Sequence, residues 1–164
     1  MKLFNSIKYW IFDLDNTLYS GKTKVFEQVD KRMSKYISNK LNISIEEAKI
    51  IQKNYFYEYN TTLNGMIKNH KIDPDEFLDF VHDINIDFLQ KDLALGKEIE
   101  KLDGKKIIFT NGSRKHAINV TTQIGIDQLF DDIFDIVDAE FIPKPSMEPY
   151  KKLVKKHKID PKLC

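Results

Sequence analysis

Two stretches of the chain are almost continuously apolar and aromatic, as strands in the interior of a protein are. Residues 7–14 read I-K-Y-W-I-F-D-L, and residues 106–110 read K-I-I-F-T after the turn signal Asp103-Gly104. Such runs are typical of strands buried on both faces, as in a parallel sheet. A shorter run at residues 133–137 predicts a third strand.

The long segment between the first two runs has helical periodicity instead. Apolar side chains recur there at helical spacing, namely Phe26, Val29, Met33, Tyr36, Ile37 and Leu41. Ser44 and Glu47 form a capping box that predicts a helix from Ile45. Asp73-Pro74 is a second start signal, because proline suits the first helical position.

Three further helices are predicted towards the C-terminus of the sequence. They cover residues 93–102, residues 114–124, where Gly125 would end the helix, and residues 149–158. The elements therefore alternate as strand, helical insert, strand, helix, short strand and helix. This order predicts an α/β fold with a parallel sheet.

The same order predicts two domains. Residues 1–19 and 96–164 together would form a discontinuous core domain around the sheet. Residues 20–95 would form a helical cap domain inserted between them. The composition fits folded domains, because 41% of the residues are hydrophobic and the formal charge is only +1.

The charge balance also bears on partners. Lys and Arg number 26 against 25 Asp and Glu, and Arg32 and Arg114 are the only arginines. Nucleic-acid binders usually carry a basic excess and use arginine to contact bases and phosphates. We therefore expect no nucleic-acid partner.

The sequence also favours a cytoplasmic protein. Cys164 is the only cysteine, so an internal disulfide is impossible, as expected in a reducing compartment. No apolar run approaches the length of about 18–20 residues that spans a membrane. The first 16 residues lack a small-residue cleavage site, so we expect neither a signal peptide nor membrane association.

Asp13 and Asp15 are the strongest chemical signal in the sequence. They lie at the end of the first predicted strand, where positions i and i+2 face the same side. Two carboxylates so placed repel each other, so a cation or a retained proton must compensate. Mg²⁺ would serve, because it takes oxygen ligands and bridges to phosphate. The alternative interpretation is a solvated acidic turn.

Two further segments carry polar groups suited to an anion. Thr110 opens the sequence T-N-G-S, which lies between a predicted strand and a helix, where free backbone N–H groups bind anions. Lys144 lies between Pro143 and Pro145, which fix its backbone. Taken separately, a polar helix cap and an exposed lysine in a rigid loop are the simpler interpretations.

Taken together and in this order, the three segments resemble the haloacid dehalogenase-like (HAD) phosphohydrolase superfamily. The resemblance extends to its pyrimidine 5′-nucleotidase branch. F-D-L-D-N-T-L-Y at residues 12–19 and F-T-N-G-S at 109–113 match that branch. So do E-Y-N-T-T-L-N-G-M at 58–66, I-D-P-D-E-F at 72–77 and V-H-D at 81–83. The resemblance implies a Rossmann-like core with an inserted helical cap.

The resemblance also implies roles for the two aspartates. Asp13 would be the nucleophile that forms an aspartyl-phosphate, and Asp15 would be the general acid and base. Mg²⁺ would be the cofactor, held by a carboxylate oxygen of Asp13 and by Asp15 through its backbone carbonyl. The substrate would be a small phosphorylated molecule, which in this branch is a nucleoside 5′-monophosphate.

The remaining site residues would bind phosphate. By the resemblance, Thr110 and the backbone amide of Asn111 would hold phosphate oxygens, with Gly112 and Asn16 beside them. Lys144 would neutralise charge on the nucleophile and on the phosphoryl group. Thr110 and Lys144 thus count among the catalytic residues.

The superfamily has a fourth motif, an acidic pair that completes the Mg²⁺ site, and the sequence stops at residue 164 where that motif should follow. We therefore expect a C-terminally incomplete sheet, weaker Mg²⁺ binding, and an exposed apolar edge at Trp10, Ile11 and Phe12 that favours self-association. Asp131-Asp132 is interpreted as a solvated turn. The alternatives to an active hydrolase are an impaired remnant that binds phosphate or a partner chain, and a segment of a longer protein.

Other candidates are assigned structural roles. His116 follows the T-N-G-S segment and could approach the mouth of the site, but a position on the helix surface is favoured. Most of the aromatic residues Tyr55, Phe56, Tyr57 and Tyr59 are expected to pack cap helices together, although they could stack on a nucleobase.

Overall fold

The apolar runs form a three-stranded parallel sheet in a computed structural model that describes residues 6–164. The strands are β1 (Tyr9–Phe12), β2 (Lys105–Phe109) and β3 (Asp132–Phe134), in the spatial order β1-β2-β3. Ile11 pairs with Ile107, and Ile108 pairs with Ile133. The predicted α/β class with a parallel sheet is therefore confirmed. Residues 1–5, which belong to the predicted core domain, lie outside the described residues.

Two strands differ from their predictions. β1 is only partly buried along its length, because β2 is its one neighbouring strand in the described part of the chain. The prediction of burial on both faces is therefore wrong, whereas β1 does lie at an edge of the sheet in the described residues, as the missing fourth motif led us to expect. β3 ends at Phe134 rather than at Val137, because the Asp135 carboxylate accepts hydrogen bonds from the backbone N–H groups of Val137 and Asp138 and turns the chain.

Seven α-helices account for most of the remaining described residues. They are α1 (Val25–Leu41), α2 (Ile45–Tyr59), α3 (Thr62–His70), α4 (Pro74–His82), α5 (Leu93–Glu100), α6 (Arg114–Ile124) and α7 (Met147–His157). None of the helices within residues 6–164 combines the length and the apolar character needed to cross a bilayer.

The predicted helix caps have the expected hydrogen bonds. The Ser44 hydroxyl accepts from the backbone N–H of Glu47, and the Glu47 carboxylate accepts from the backbone N–H of Ser44. Asp73 caps α4 in front of Pro74, and α6 ends at Gly125 with a φ of 78°. α7 begins two residues earlier than predicted. Pro149 lies within its first turn, where a missing N–H has no cost.

The sheet separates two hydrophobic clusters. Ile108 faces a cluster that includes Leu14 and Val120 of α6, whereas Ile107 and Phe109 face a cluster with Leu153 of α7. This alternation follows from the two-residue period of a strand. Helices therefore cover both faces of β2, and the carboxyl ends of β1 and β2 meet at one edge of the sheet.

Helices α1 to α4 pack around a third cluster of their own. Its fully buried members include Val29, Ile37, Met66 and Phe77. The division into the domains 20–95 and 1–19 with 96–164 stays a prediction, although this cluster shows that the helical segment has a substantial apolar interior. Ile136, from the loop after β3, also packs into it and links it to the sheet.

Gly65 of α3 provides a test of this packing. A Cβ atom at Gly65 would lie 2.4 Å from Cβ and Cγ of Tyr55 on α2, closer than any real contact. We expect Gly65→Ala to lower the free energy of unfolding by about 1–3 kcal/mol, because the two helices must move apart. Urea unfolding followed by circular dichroism measures this change.

Gly96 of α5 is the matched control. A Cβ atom there would meet its nearest neighbour at 3.7 Å, which is ordinary contact. Gly96→Ala should therefore raise stability by up to about 1 kcal/mol through helix propensity. Equal effects of the two substitutions would contradict the proposed contact between α2 and α3.

Candidate active site

The turn after β1 places Asp13 at the carboxyl edge of the sheet. The backbone N–H groups of Thr17 and Leu18 donate to the carbonyl of Leu14, which is fully buried and anchors the turn. The Asp13 side chain is half exposed, and its two oxygens accept hydrogen bonds from the Thr17 hydroxyl and the Lys144 ammonium, each at 2.8 Å. Each oxygen of Asp13 thus has its own donor, one of which is the lysine ammonium.

Asp15 faces a different set of donors. Its Oδ1 atom accepts from the Tyr19 hydroxyl at 2.7 Å and from Nε2 of His116 at 2.8 Å. Burial alone raises the pKa of Asp15, but the hydrogen bonds from His116 and Tyr19 favour the carboxylate and bring the pKa below its ordinary value. Burial and the charge of Asp15 raise the pKa of Tyr19, which therefore remains a phenol that donates.

The loop after β2 brings Thr110 and Gly112 next to these aspartates. The Thr110 side chain is almost fully buried, and its hydroxyl accepts from the backbone N–H of Gly112 at 2.9 Å. A Cβ atom on Gly112 would lie 3.3 Å from that hydroxyl and 3.6 Å from Oδ2 of Asp15. A side chain at this position would therefore crowd the Thr110 hydroxyl, whereas its distance to Asp15 would be an ordinary contact.

Lys144 comes from a distant part of the sequence and is fixed by Asn111. The Asn111 side chain accepts from the backbone N–H of Lys144 and donates to its carbonyl, at 2.8 and 3.1 Å. The lysine ammonium also donates to the carbonyl of Phe109 and lies over the Phe109 ring. These contacts aim the ammonium at Asp13. The Asn111 side chain is used to hold the loop, which leaves only its backbone amide for the predicted phosphate contact.

These groups open into one cavity of about 630 Å³. All seven predicted site residues line it, namely Asp13, Asp15, Asn16, Thr110, Asn111, Gly112 and Lys144. The structure therefore brings every predicted site residue together, while their roles stay predictions. The opposite wall of the cavity is formed by largely apolar residues of α1, α2, α3 and α4, among them Phe26, Met33, Phe56, Tyr57, Leu63 and Leu78.

The aromatic residues of α2 divide into two pairs. Tyr55 packs edge-on against Tyr59 and its hydroxyl lies 2.7 Å from Nε2 of His70, so the packing interpretation holds for these two tyrosines. It is wrong for Phe56 and Tyr57, which are 57% and 80% exposed and line the cavity. The helical period places the two pairs on different faces of α2.

His116 was expected on a helix surface, and this prediction is wrong. It is only 2% exposed, contacts Asp15, and stacks on the ring of His82 with 4.4 Å between ring centroids. The sequence did contain a signal, because His116, Val120 and Ile124 recur at i, i+4 and i+8 on the buried face of α6. Neither histidine was among the predicted site residues.

The interpretation of Asp131-Asp132 as a solvated turn holds for Asp131, which is exposed in a bend before β3, but is wrong for Asp132. Asp132 begins β3 and accepts from the Arg114 guanidinium at 2.9 Å, while Asp131 accepts from the backbone N–H of Lys106 at 2.7 Å. The Arg114 guanidinium also donates to the carbonyl of Ile133. This acidic pair fastens α6 and β2 to β3 and lies outside the cavity.

The donor set of the cavity fits magnesium in its chemistry. Mg²⁺ prefers oxygen ligands and usually takes one or two carboxylates, with water and substrate phosphate completing its shell. Asp13 offers such a carboxylate at the cavity surface, with the backbone of Asp15 beside it. Within residues 6–164, no three acidic, imidazole or thiol side chains are grouped so that they could enclose an ion.

Comparison with known proteins agrees with this geometry. The family model for haloacid dehalogenase-like hydrolases matches residues 7–164. Phosphate metabolism protein 8 of Saccharomyces cerevisiae is 33% identical over 154 residues, which cover 84% of this chain and 48% of that protein. The chain thus spans about half the length of this curated relative.

Solved structures show the same fold. An L-2-haloacid dehalogenase from Xanthobacter autotrophicus superposes with a TM-score of 0.50 at 16% identity, covering 94% of this chain and 66% of that one. A magnesium-bound HAD-hydrolase from Bacillus subtilis, YfnB, gives a TM-score of 0.50 at 18% identity, covering 92% and 72%. At these identities the likeness concerns the fold alone.

The histidine pair makes stability depend on pH. Burial and the neighbouring His116 lower the pKa of His82 from 6.5 to about 3. Below pH 6.5 the unfolded chain therefore binds a proton that the folded chain does not. We expect the free energy of unfolding to fall on this account by up to about 1.4 kcal/mol per unit as the pH drops towards about 4.5.

Urea unfolding of the wild type and His82→Phe at several pH values measures this contribution. Phenylalanine keeps a ring against His116 but cannot bind a proton, so the stability of His82→Phe should depend less on pH. His157, whose pKa is also lowered by burial, contributes equally to both proteins and cancels. Parallel stability curves would show that His82 is not the group responsible.

Proposed function

This chain belongs to the haloacid dehalogenase-like hydrolase family, and from that premise we propose that it is a Mg²⁺-dependent phosphomonoester hydrolase acting through an aspartyl-phosphate. One observation carries the proposal. The half-exposed carboxylate of Asp13 opens into the cavity with the Lys144 ammonium 2.8 Å from Oδ1, and Asp15 lies two residues further on. A nucleophile, a cation and an acid–base group therefore share one cavity wall.

In the first step, an Asp13 oxygen attacks the phosphorus of a bound phosphate monoester. The phosphorus–oxygen ester bond breaks, and its electron pair goes to the leaving oxygen, which takes a proton from Asp15. The arriving phosphate brings negative charge close to Asp15 and so favours the protonated form that this step requires. Lys144 offsets the charge that accumulates on Asp13 and the phosphoryl oxygens.

In the second step, Asp15 acts as a base. It removes a proton from a water molecule whose oxygen attacks the aspartyl-phosphate, and the bond between Asp13 and phosphorus breaks to release inorganic phosphate. Thr110 and the backbone amide of Asn111 hold phosphate oxygens, next to Gly112 and Asn16. Mg²⁺, held by Asp13 and the backbone of Asp15, would polarise the phosphoryl group and offset its charge when bound.

We further propose that the substrates are nucleoside 5′-monophosphates. Phe26, Phe56 and Tyr57 expose aromatic surface at the cavity, and aromatic rings stack on nucleobases. The segments 58–66, 72–77 and 81–83, which resemble the pyrimidine 5′-nucleotidase branch, also contribute cavity residues. The name of the similar yeast protein, Phosphate metabolism protein 8, agrees with chemistry on phosphate esters.

Phosphate release tests the reaction. We expect release from UMP and CMP with Mg²⁺, loss of release in EDTA, and at least a 10³-fold fall, as an order-of-magnitude figure, in Asp13→Asn because the nucleophile is gone. Asp87→Asn is the matched control, since Asp87 is exposed and lies outside the cavity.

Circular dichroism spectra of all variants establish that they are folded. Phosphate binding without any turnover in the folded wild-type chain would favour the alternative, a remnant that binds phosphate or a partner chain. Turnover that persists in Asp13→Asn would contradict the aspartyl-phosphate mechanism.

Substrate selectivity tests the nucleotide proposal. Stacking on a base contributes about 1–3 kcal/mol, so Phe56→Ala and Tyr57→Ala should each lower kcat/KM for UMP by roughly 5- to 100-fold. Ribose 5-phosphate has no base, and its kcat/KM should change by less than about 2-fold. Phe88→Ala is the matched control, because Phe88 is exposed but lies outside the cavity. Equal losses on both substrates would overturn the stacking role.

A further inference from the structure

His116, which is buried, and His82, which is partly buried and lines the cavity, form a pair that the proposed reaction does not use. His116 lies in the first turn of α6 and donates from Nε2 to Oδ1 of Asp15 at 2.8 Å. The ring of His82, at the end of α4, stacks on the ring of His116 with 11° between the two planes. The pair thus connects the helical segment with an aspartate at the end of β1.

The ring of His116 is held from several sides. The Ser113 hydroxyl accepts from the backbone N–H of His116 at 3.2 Å and so fixes the first turn of α6. A Cβ atom on Gly112 would lie 3.5 Å from Cδ2 of His116, so the ring already fills the space next to that loop. With His82 on its face, the imidazole has little room to rotate away from Asp15.

His82 is itself anchored to the start of α6. Its Nδ1 atom lies 3.0 Å from the Ser113 hydroxyl, and Lys115 donates to Asp79, one turn earlier on α4, at 2.9 Å. Leu78 and Val81 of α4 are buried in the cluster of α1 to α4. These contacts hold α4, and with it His82, against the start of α6.

The hydrogen bonds determine which oxygen of Asp15 is available. Tyr19 and His116 both donate to Oδ1. Oδ2 lies on the side of Gly112, which lines the cavity. A carboxylic acid that protonates a leaving oxygen must hold its own proton-bearing oxygen at a fixed position. A displacement of that oxygen by 1 Å costs about 10²-fold in rate.

We propose that His116, braced by His82, is a positioning residue that fixes Asp15 so that Oδ2 faces the substrate. The proposal rests on the proposed function, in which Asp15 is the acid and base. The proposal also connects the helical segment with the reaction, because His82, which stacks on His116, lies on α4.

The test compares two leaving groups in the full chain. The 5′-oxygen of UMP needs a proton in order to leave, whereas p-nitrophenolate does not, and kcat/KM reports the first step alone. We expect His116→Leu to lower kcat/KM for UMP by about 10²-fold and for p-nitrophenyl phosphate by less than about 3-fold. His116→Gln, whose amide can donate to Asp15, should recover most of the loss.

Two matched controls separate positioning from simple damage to the fold. His70→Leu also removes a histidine that contacts one hydroxyl, that of Tyr55, but His70 lies outside the cavity and should leave both substrates unchanged. His82→Ala should lower kcat/KM for UMP by about 10-fold, and His82→Phe, which keeps the stacked ring, by less. Equal losses on both substrates in His116→Leu would overturn the proposal.

A measurement independent of turnover keeps this proposal separate from the proposed function. In ¹⁵N-selective NMR spectra of the wild type, the proton on Nε2 of His116 should exchange slowly with water, and Asp15→Ala should make it exchange quickly. Slow exchange in a wild-type chain that releases no phosphate would support the placement of Asp15 while refuting the hydrolase function. Fast exchange in the wild type would overturn the positioning role whatever the activity.

Discussion

The ion pair between Asp13 and Lys144 is the interaction around which the site is built. Asp13 and Asp15 follow β1 within three residues, and like charges this close are stable only where donors reach both. Lys144 supplies the cation from 131 residues further along the chain. Its loop can do so because Asn111 holds the lysine backbone with two hydrogen bonds. The site therefore depends on long-range contacts between three loops.

Local signals in the sequence predicted the parts of the fold that depend on nearby residues. The Ser44 capping box, Asp73-Pro74 and Gly125 each place a helix end, because a cap satisfies backbone groups within one turn. The seven site residues were predicted from the family resemblance, because six of them follow β1 or β2 in short segments and Lys144 lies between two prolines. The local pattern did not predict how deeply each strand is buried. For β1, burial depends on how many strands flank it.

The errors at His116 and Asp132 have one cause. Each side chain is charged or polar, and in isolation such residues are most often found at the surface. The full burial of His116 and the partial burial of Asp132 are possible because each has a specific partner distant in sequence, Asp15 for His116 and Arg114 for Asp132. A buried polar group needs such a partner, and the partner is set by tertiary structure rather than by neighbours in sequence.

The balance of charges in the cavity is a reason to expect a cation beside a bound phosphate. The carboxylates that line the cavity are those of Asp13, Asp15 and Asp30, and its ammonium groups are those of Lys53 and Lys144. These groups leave one negative charge in excess, and a phosphate monoester adds up to two more. A divalent cation beside Asp13 would restore the balance, which is the electrostatic reason why this arrangement of residues suits Mg²⁺. Charge also explains why a neutral donor such as the Tyr19 hydroxyl suits Asp15. A second ammonium beside Asp15 would oppose the protonation of its carboxylate during the reaction.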